Sequence, residues 1–297
     1  MQKTLRPVRP NAGIEAAYRK KLDSLIDQMQ RSIVWWVTSA YKANKPEMAA
    51  DAAEDDPRSK WEQSNTPAQQ SIATELSTAI RKSGSPAKVL DRVMGKLSKH
   101  WQAKFDQAAP DLAKYFATKA KDRTDAILKA ALKKSGFAVE FKMTASMNDV
   151  MQATIAENVQ LISNLAEQHI AEVQGAVMRS VAAGRDITGL ANDLQKRLGI
   201  TKRRATLIAR DQNNKMNSNI NRVRQMDMGI KTAIWIHSAG GKEPRHDHVE
   251  ANGKEYDIAT GEFLDGFKLK DGSGIFPGQL INCRCVSKAV IPGLKRA

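Results

Sequence analysis

Cysteine is almost absent from this sequence. Its 297 residues hold two, Cys283 and Cys285, one arginine apart in the stretch INCRCV at 281–286. Two such thiols exclude the disulfide framework that staples small secreted domains. Long apolar runs are missing as well. No stretch approaches the roughly 18 residues that a membrane-spanning helix needs, so no membrane span is expected. The opening MQKTLRPVRPNAGIEAAYRKK is basic but has no apolar run behind its charges. No secretory signal is expected there, and a cytosol-like compartment is. Acidic charge is in deficit: 32 Asp and Glu against 47 Lys and Arg leave +15. That balance favours polyanionic partners such as nucleic acid, with a plain solvated surface as the alternative. At 41% hydrophobic residues the chain is long enough for one large or two modest domains with real cores.

What is present is mostly helical pattern. Over 14–42, Tyr18, Leu22, Leu25, Ile26, Met29, Ile33 and Trp36 recur at three- and four-residue steps, one face of an amphipathic helix with Asn11 placed to cap it. Trp35 and Trp36 point about 100° apart on such a helix. One core cannot easily take both, so the helix is either clamped between two layers or docks on another protein. Residues 43–70 are acidic, carry Pro46, Pro57 and Pro67 and lose the periodicity, which predicts a flexible linker. Helical pattern resumes over 71–135, punctuated by SGSP at 83–86 and by Pro110. GFAVEFKMT at 136–144 alternates like a short strand, and a helix–turn contact explains it as well. Residues 147–183 predict a long helix whose stripe runs Ile155, Val159, Ile162, Ala166, Ile170, Val173, Val177, Val181, stopped by Gly184. A short helix over DITGLANDLQKRLGI and another from Thr201, as its cap, to Gly229 complete the body.

After Gly229 the texture changes. IKTAIWI has the density of a strand, and turn-rich segments follow. The expected fold is mainly α with a small C-terminal α+β domain: long amphipathic helices, then a short-stranded, turn-rich tail. The expected divisions are a docking helix at 1–42, a linker at 43–70, a helical body at 71–229 and the tail at 230–297. A domain as small as the tail often needs a staple or metal.

The tail holds the candidate site. His246 and His248 lie in PRHDHVEANGK, and Cys283 and Cys285 lie in NCRC. Residues i and i+2 of an extended strand share a face, so both histidines and both thiolates could converge on one Cys2His2 tetrahedron suited to zinc. His248 with the two cysteines alone would make a three-ligand site, and His237 could substitute for a histidine. Reduced, buried thiols and a strained local disulfide with redox chemistry stay open beside the metal. His100 and His169 are expected to be packing or surface residues.

The order of these motifs resembles a known family. From IARDQNNKMNSNINRVRQMDMG through the tryptophan strand and PRHDH to FPGQLINCRC, the chain is similar to phage head morphogenesis proteins, the minor head proteins of the Mu F type. Arg210, Asn214, Trp235, Pro244, Arg245, His248, Gly253, Pro277, Asn282, Cys283, Arg284 and Cys285 occupy the matching places. His246 falls at a variable one. The resemblance is specific over about 185–287. It implies a non-enzymatic virion component, at the portal vertex or capsid interior, made in the host cytoplasm. The implied partners are the portal protein, major capsid or scaffold proteins, and viral double-stranded DNA held by phosphate contacts. The implied roles are head assembly, DNA packaging or DNA ejection, with Asn282 and Arg284 fixing the tail through hydrogen bonds. A metal-dependent nuclease using Asp247 and His248, or a plain DNA-binding protein using Arg203, Arg204 and Arg210, is the alternative. The nuclease reading suffers because no histidine follows His248.

Overall fold

The computed structural model of the protein describes residues 2–43, 86–183, 187–240 and 243–295. Its elements run β1 (Gln2–Thr4), α1 (Ala12–Ala43), α2 (Pro86–Lys134), α3 (Ala145–Ala182), α4 (Ile187–Asp227), β2 (Thr232–Ile236), α5 (His246–Glu250), β3 (Glu255–Asp257) and β4 (Val286–Lys295). The chain is mainly helical with a small α+β tail, as its patterning predicts. The expected linker at 43–70 falls almost wholly outside the described residues. The chain forms two compact units. One comprises Met1–Lys21, Ala109–Leu161 and Ala205–Ala297; the other comprises Leu22–Ala108 and Ile162–Arg204.

Asn11 caps α1. Its side-chain oxygen accepts hydrogen bonds from the backbone N–H groups of Gly13 at 2.9 Å and Ile14 at 3.1 Å, satisfying donors that a helix start leaves open. The stripe Leu22, Ile26, Met29, Ile33 and Trp36 is buried within the protein, while Val34 stays exposed. The Trp35 ring meets Trp36 edge to face at 4.4 Å.

Three expectations about the helices are corrected. Pro110 does not interrupt its segment: α2 runs through it. A proline costs a helix one N–H donor, here the bond to the Asp106 carbonyl. Asp106 and Pro110 both lie on an exposed face, where water can take that carbonyl. The short helix and the one starting at Thr201 are one continuous helix, α4. Thr201 does not cap it; it lies inside the helix, with its hydroxyl 3.1 Å from the Arg197 carbonyl. The segment 137–144 forms no strand. Phe137, Val139 and Phe141 instead pack against the tail core as an irregular connection.

The second unit holds a buried histidine. His169 places Nδ1 2.8 Å from the Thr201 hydroxyl and Nε2 2.8 Å from the Gln30 side-chain oxygen. Burial, helped by the charge of Arg197, lowers its pKa from 6.5 to about 4. The folded imidazole is therefore neutral where the unfolded one is protonated. This contribution is whole above pH 6.5 and is lost as pH falls toward 4, reaching about 3 kcal/mol. Urea melts between pH 7 and 4 should show the loss, and the imidazole resonances should titrate near pH 4.

In the first unit the sheet is antiparallel with strand order β1-β4-β2-β3. The tail supplies three strands and the N-terminal residues the fourth. In β2, Ala233 and Trp235 point inward. Leu5, Val8, Leu128 and Leu132 join the tail's own apolar residues in one core.

The C-terminal half of α4 buries polar residues: Gln212, Asn213, Asn214, Asn217, Asn221, Arg224 and Gln225. Three of the asparagines grip backbone of other segments. Asn213 donates to the Asn11 carbonyl and Asn217 to the Val8 carbonyl, each at 3.1 Å. Asn214 donates to the Cys283 carbonyl at 3.0 Å. One helix face thus holds both the N-terminal segment and the tail.

Candidate functional site

Three of the four residues expected to hold a metal come together. The ligand atoms of His248, Cys283 and Cys285 lie within 4.8 Å of one another, and all three residues are buried. The His248 Nδ1 is 3.5 Å from the Cys283 sulfur and 3.7 Å from the Cys285 sulfur. The thiols are free.

His246 does not join them. It is exposed on the first turn of α5. The expectation that the two histidines share a face rested on a strand. On a helix, positions i and i+2 diverge by about 200°, so turning His248 inward turns His246 out. His237 lies half-buried at the end of β2, with its Nδ1 accepting from the Ala239 N–H at 3.2 Å. It lines the same cleft without entering the group.

Local backbone aims the thiols. Asn282 has φ 61°, a left-handed conformation that asparagine tolerates better than most residues. Its N–H donates to the Asp211 carboxylate at 2.8 Å. The Cys283 N–H closes the turn on the Leu280 carbonyl at 2.9 Å. The Gly278 N–H donates to the Cys283 sulfur at 3.4 Å. Gly278 sits at φ +85°, and a Cβ there would come within 3.2 Å of the Cys285 carbonyl oxygen and the Ser218 Cβ. Glycine is thus required twice over, by conformation and by space. The Ser218 hydroxyl donates to the Pro277 carbonyl. Arg284, between the thiols, turns away and donates to the Gly240 carbonyl at 2.6 Å.

Trp235 floors the site. Its ring meets His248 edge to face at 5.0 Å and packs on Phe263 at 5.7 Å and Tyr256 at 6.1 Å. The His248 Nε2 is buried without a hydrogen-bond partner. Asp247 binds backbone instead of the ring: one oxygen accepts from the His248 N–H at 3.1 Å, the other from the Lys270 N–H at 2.9 Å. Burial works to raise its carboxyl, but the Lys270 N–H and the adjacent His248 outweigh that and hold it below the ordinary value.

The two thiols are unequal. The neighbouring Cys285 thiol pulls Cys283 well below the ordinary thiol value against the cost of burial, helped by His248 and the Gly278 N–H. The same sharing of one proton, together with burial, pushes Cys285 up.

The cluster lies at the wall of a cleft of about 530 Å³. Arg210, Glu243, Arg245, Asn282 and Arg284 also line it. Arg245 pairs with Asp271 at 3.3 Å and donates to the Ile281 carbonyl. The Arg210 Nε is buried without a hydrogen-bond partner.

Sequence reading found Asn214, Asn282 and Arg284 through the motif order. Arg284 does bind through its side chain, whereas Asn282 does so through its backbone. It missed Asp211, Ser218 and Gly278. The only signals were Asp211 beside Arg210 and the Pro-Gly turn before NCRC.

Comparison with known proteins agrees with the motif order. The family described as Phage Mu protein F like protein matches residues 171–288. That stretch includes the end of α3, all of α4, β2, α5, β3 and the NCRC turn. An uncharacterised protein of Haemophilus influenzae (strain ATCC 51907 / DSM 11121 / KW20 / Rd) is 28% identical over 211 residues, which cover 69% of this chain. The match covers 44% of that relative, so the chain spans less than half its length. No solved structure matches the chain.

Proposed function

We propose that this chain is a phage head morphogenesis protein of the Mu F type, a minor component of the head that docks on the portal and supports assembly, DNA packaging or DNA delivery. The observation that carries the reading is the family match over residues 171–288. It falls on the residues that build the tail: Asn214 grips the NCRC turn, Trp235 floors it, and Gly278 lets it close. The role needs no catalysis. A protein that binds a ring and stays there needs a rigid module, and the tail shares its core with the N-terminal residues and α2. The net charge of +15 suits a place beside packaged DNA, where lysines and arginines hold phosphates without reading sequence.

The nuclease alternative fares worse. It needs an Asp–His pair free to activate water beside a metal that polarises phosphate. Asp247 is occupied by two backbone N–H groups, and His248 Nδ1 faces sulfur. Among the described residues no helix is long and apolar enough to cross a membrane.

The test is co-expression with the portal protein of the genome that encodes it. Co-elution of the chain with portal rings on size exclusion is expected. Separate elution from well-formed rings, at several salt concentrations, would overturn the docking role.

A further inference from the structure

We propose that His248, Cys283 and Cys285 bind one zinc ion through Nδ1 and both sulfurs, with the fourth position open to the cleft and taken by water or a small anion. The proposal stands whether or not the chain is a head protein.

The geometry fits an ion. Zinc holds sulfur at about 2.3 Å and imidazole nitrogen at about 2.0–2.1 Å, so the nitrogen–sulfur edge of its tetrahedron is about 3.5–3.6 Å. The two edges here are 3.5 and 3.7 Å. Hydrogen bonding alone explains the arrangement less well. A neutral imidazole offers one lone pair, and two buried sulfurs converge on that single nitrogen. An ion at the centre satisfies all three donors at once.

The frame is held before any ion arrives. The Asp211 carboxylate fixes the backbone ahead of Cys283, Asn214 holds the Cys283 carbonyl, and the Gly278 N–H donates to the Cys283 sulfur. Such outer partners orient ligands and tune them. Binding displaces the protons that the thiols carry, as thiolate ligation requires.

The donor set selects the metal. Two thiolates and an imidazole suit zinc and exclude magnesium and calcium, which take oxygen. The competing group of Asp247, His248 and Asp271 is already spent: Asp247 on two backbone N–H groups and Asp271 on Arg245. Among the described residues no fourth protein donor joins the three. The cleft beside them carries Arg210, Arg245 and Arg284, so an incoming ligand meets positive charge. Three protein ligands and one open position is the pattern of a zinc that exchanges its fourth ligand.

The experiment is elemental analysis of the full chain, purified under reducing conditions with no metal or chelator added, followed by X-ray absorption at the zinc edge. About one zinc per chain with two sulfurs in its shell is expected. A folded chain that carries no metal and takes up none on titration overturns the proposal. So does a shell of nitrogen and oxygen alone, or a Cys283–Cys285 disulfide. Cys283→Ser and His248→Ala should each lose the metal. Because either could simply fail to fold, the unaltered chain supplies a second reading: its two thiols should resist a thiol reagent until a chelator is added. Cobalt exchanged into the site tests the open position. Added azide should shift its visible bands, and unchanged bands would mean that a protein group closes the site.

Discussion

Asp125→Ala is expected to destabilise the first unit by about 3 kcal/mol, the cost of depriving a buried charge of its closest partner. The partner is Arg224, which is 2% exposed. Its guanidinium meets the Asp125 carboxylate in two parallel bonds at 2.8 and 2.9 Å. A third bond goes to the Lys142 carbonyl at 2.6 Å, and the Phe141 ring lies 4.8 Å beneath the plane. The arginine thus ties α2, α4 and the irregular connection at 137–144 together. That connection has no sheet partners, so Arg224 and the packing of its aromatic rings do what a ladder would do. Removing the carboxylate leaves the buried guanidinium with only the Lys142 carbonyl and the looser Asp227 carboxylate at 3.7 Å. The double change Asp125→Leu with Arg224→Met should recover most of the loss, since a well-packed apolar pair is often no worse than a buried ion pair. Denaturant melts of the two variants measure both effects. If Asp125→Ala melts as the unaltered chain does, the pair is solvated and the account of this region is wrong.

The second large effect is expected at Trp235. Trp235→Ala should cost about 3–5 kcal/mol, the range for emptying a large aromatic from a core. The residue is fully buried and contacts His248, Tyr256 and Phe263. Because its ring braces His248, the loss should reach the candidate site as well as the core. Trp235→Phe keeps a ring and should cost markedly less. Both can be measured by urea melts. Equal melts for the two would show that the ring braces nothing.

Much of this was legible in the sequence, and the misses share a cause. The apolar stripe from Ile162 to Val177 is buried as its spacing predicts, and the dense run at 230–236 contains a strand. Toward the start of the same helix the pattern fails. Ile155 and Val159 are only half-buried, while Thr154 and Asn158 are buried. Asn158 accepts from the Tyr18 hydroxyl at 2.9 Å and donates to Gln212 at 2.8 Å. Hydrophobic periodicity cannot see a face whose partners are polar. Asn213 and Asn217 of α4 were hidden for the same reason, and Asn214, which holds the NCRC turn, showed only through the motif order.

The histidine pair shows a different limit. The spacing of His246 and His248 is compatible with either period. A helical turn forms there, with His248 turned in against the Trp235 ring and His246 turned out. Breakers misled in the other direction. Gly199 with Thr201, and Pro110, look like stops. A long helix absorbs them when a glycine costs about 1 kcal/mol and a proline about 3 and burial along both flanks offsets that.

The place of this chain in a phage head is a proposal from the family match over residues 171–288. Quantitative mass spectrometry of particles produced from the genome that encodes it tests the claim directly. The chain is expected in purified heads, at a copy number far below that of the major capsid protein. Heads that assemble and package DNA with the chain absent at every stage, procapsids included, would contradict it.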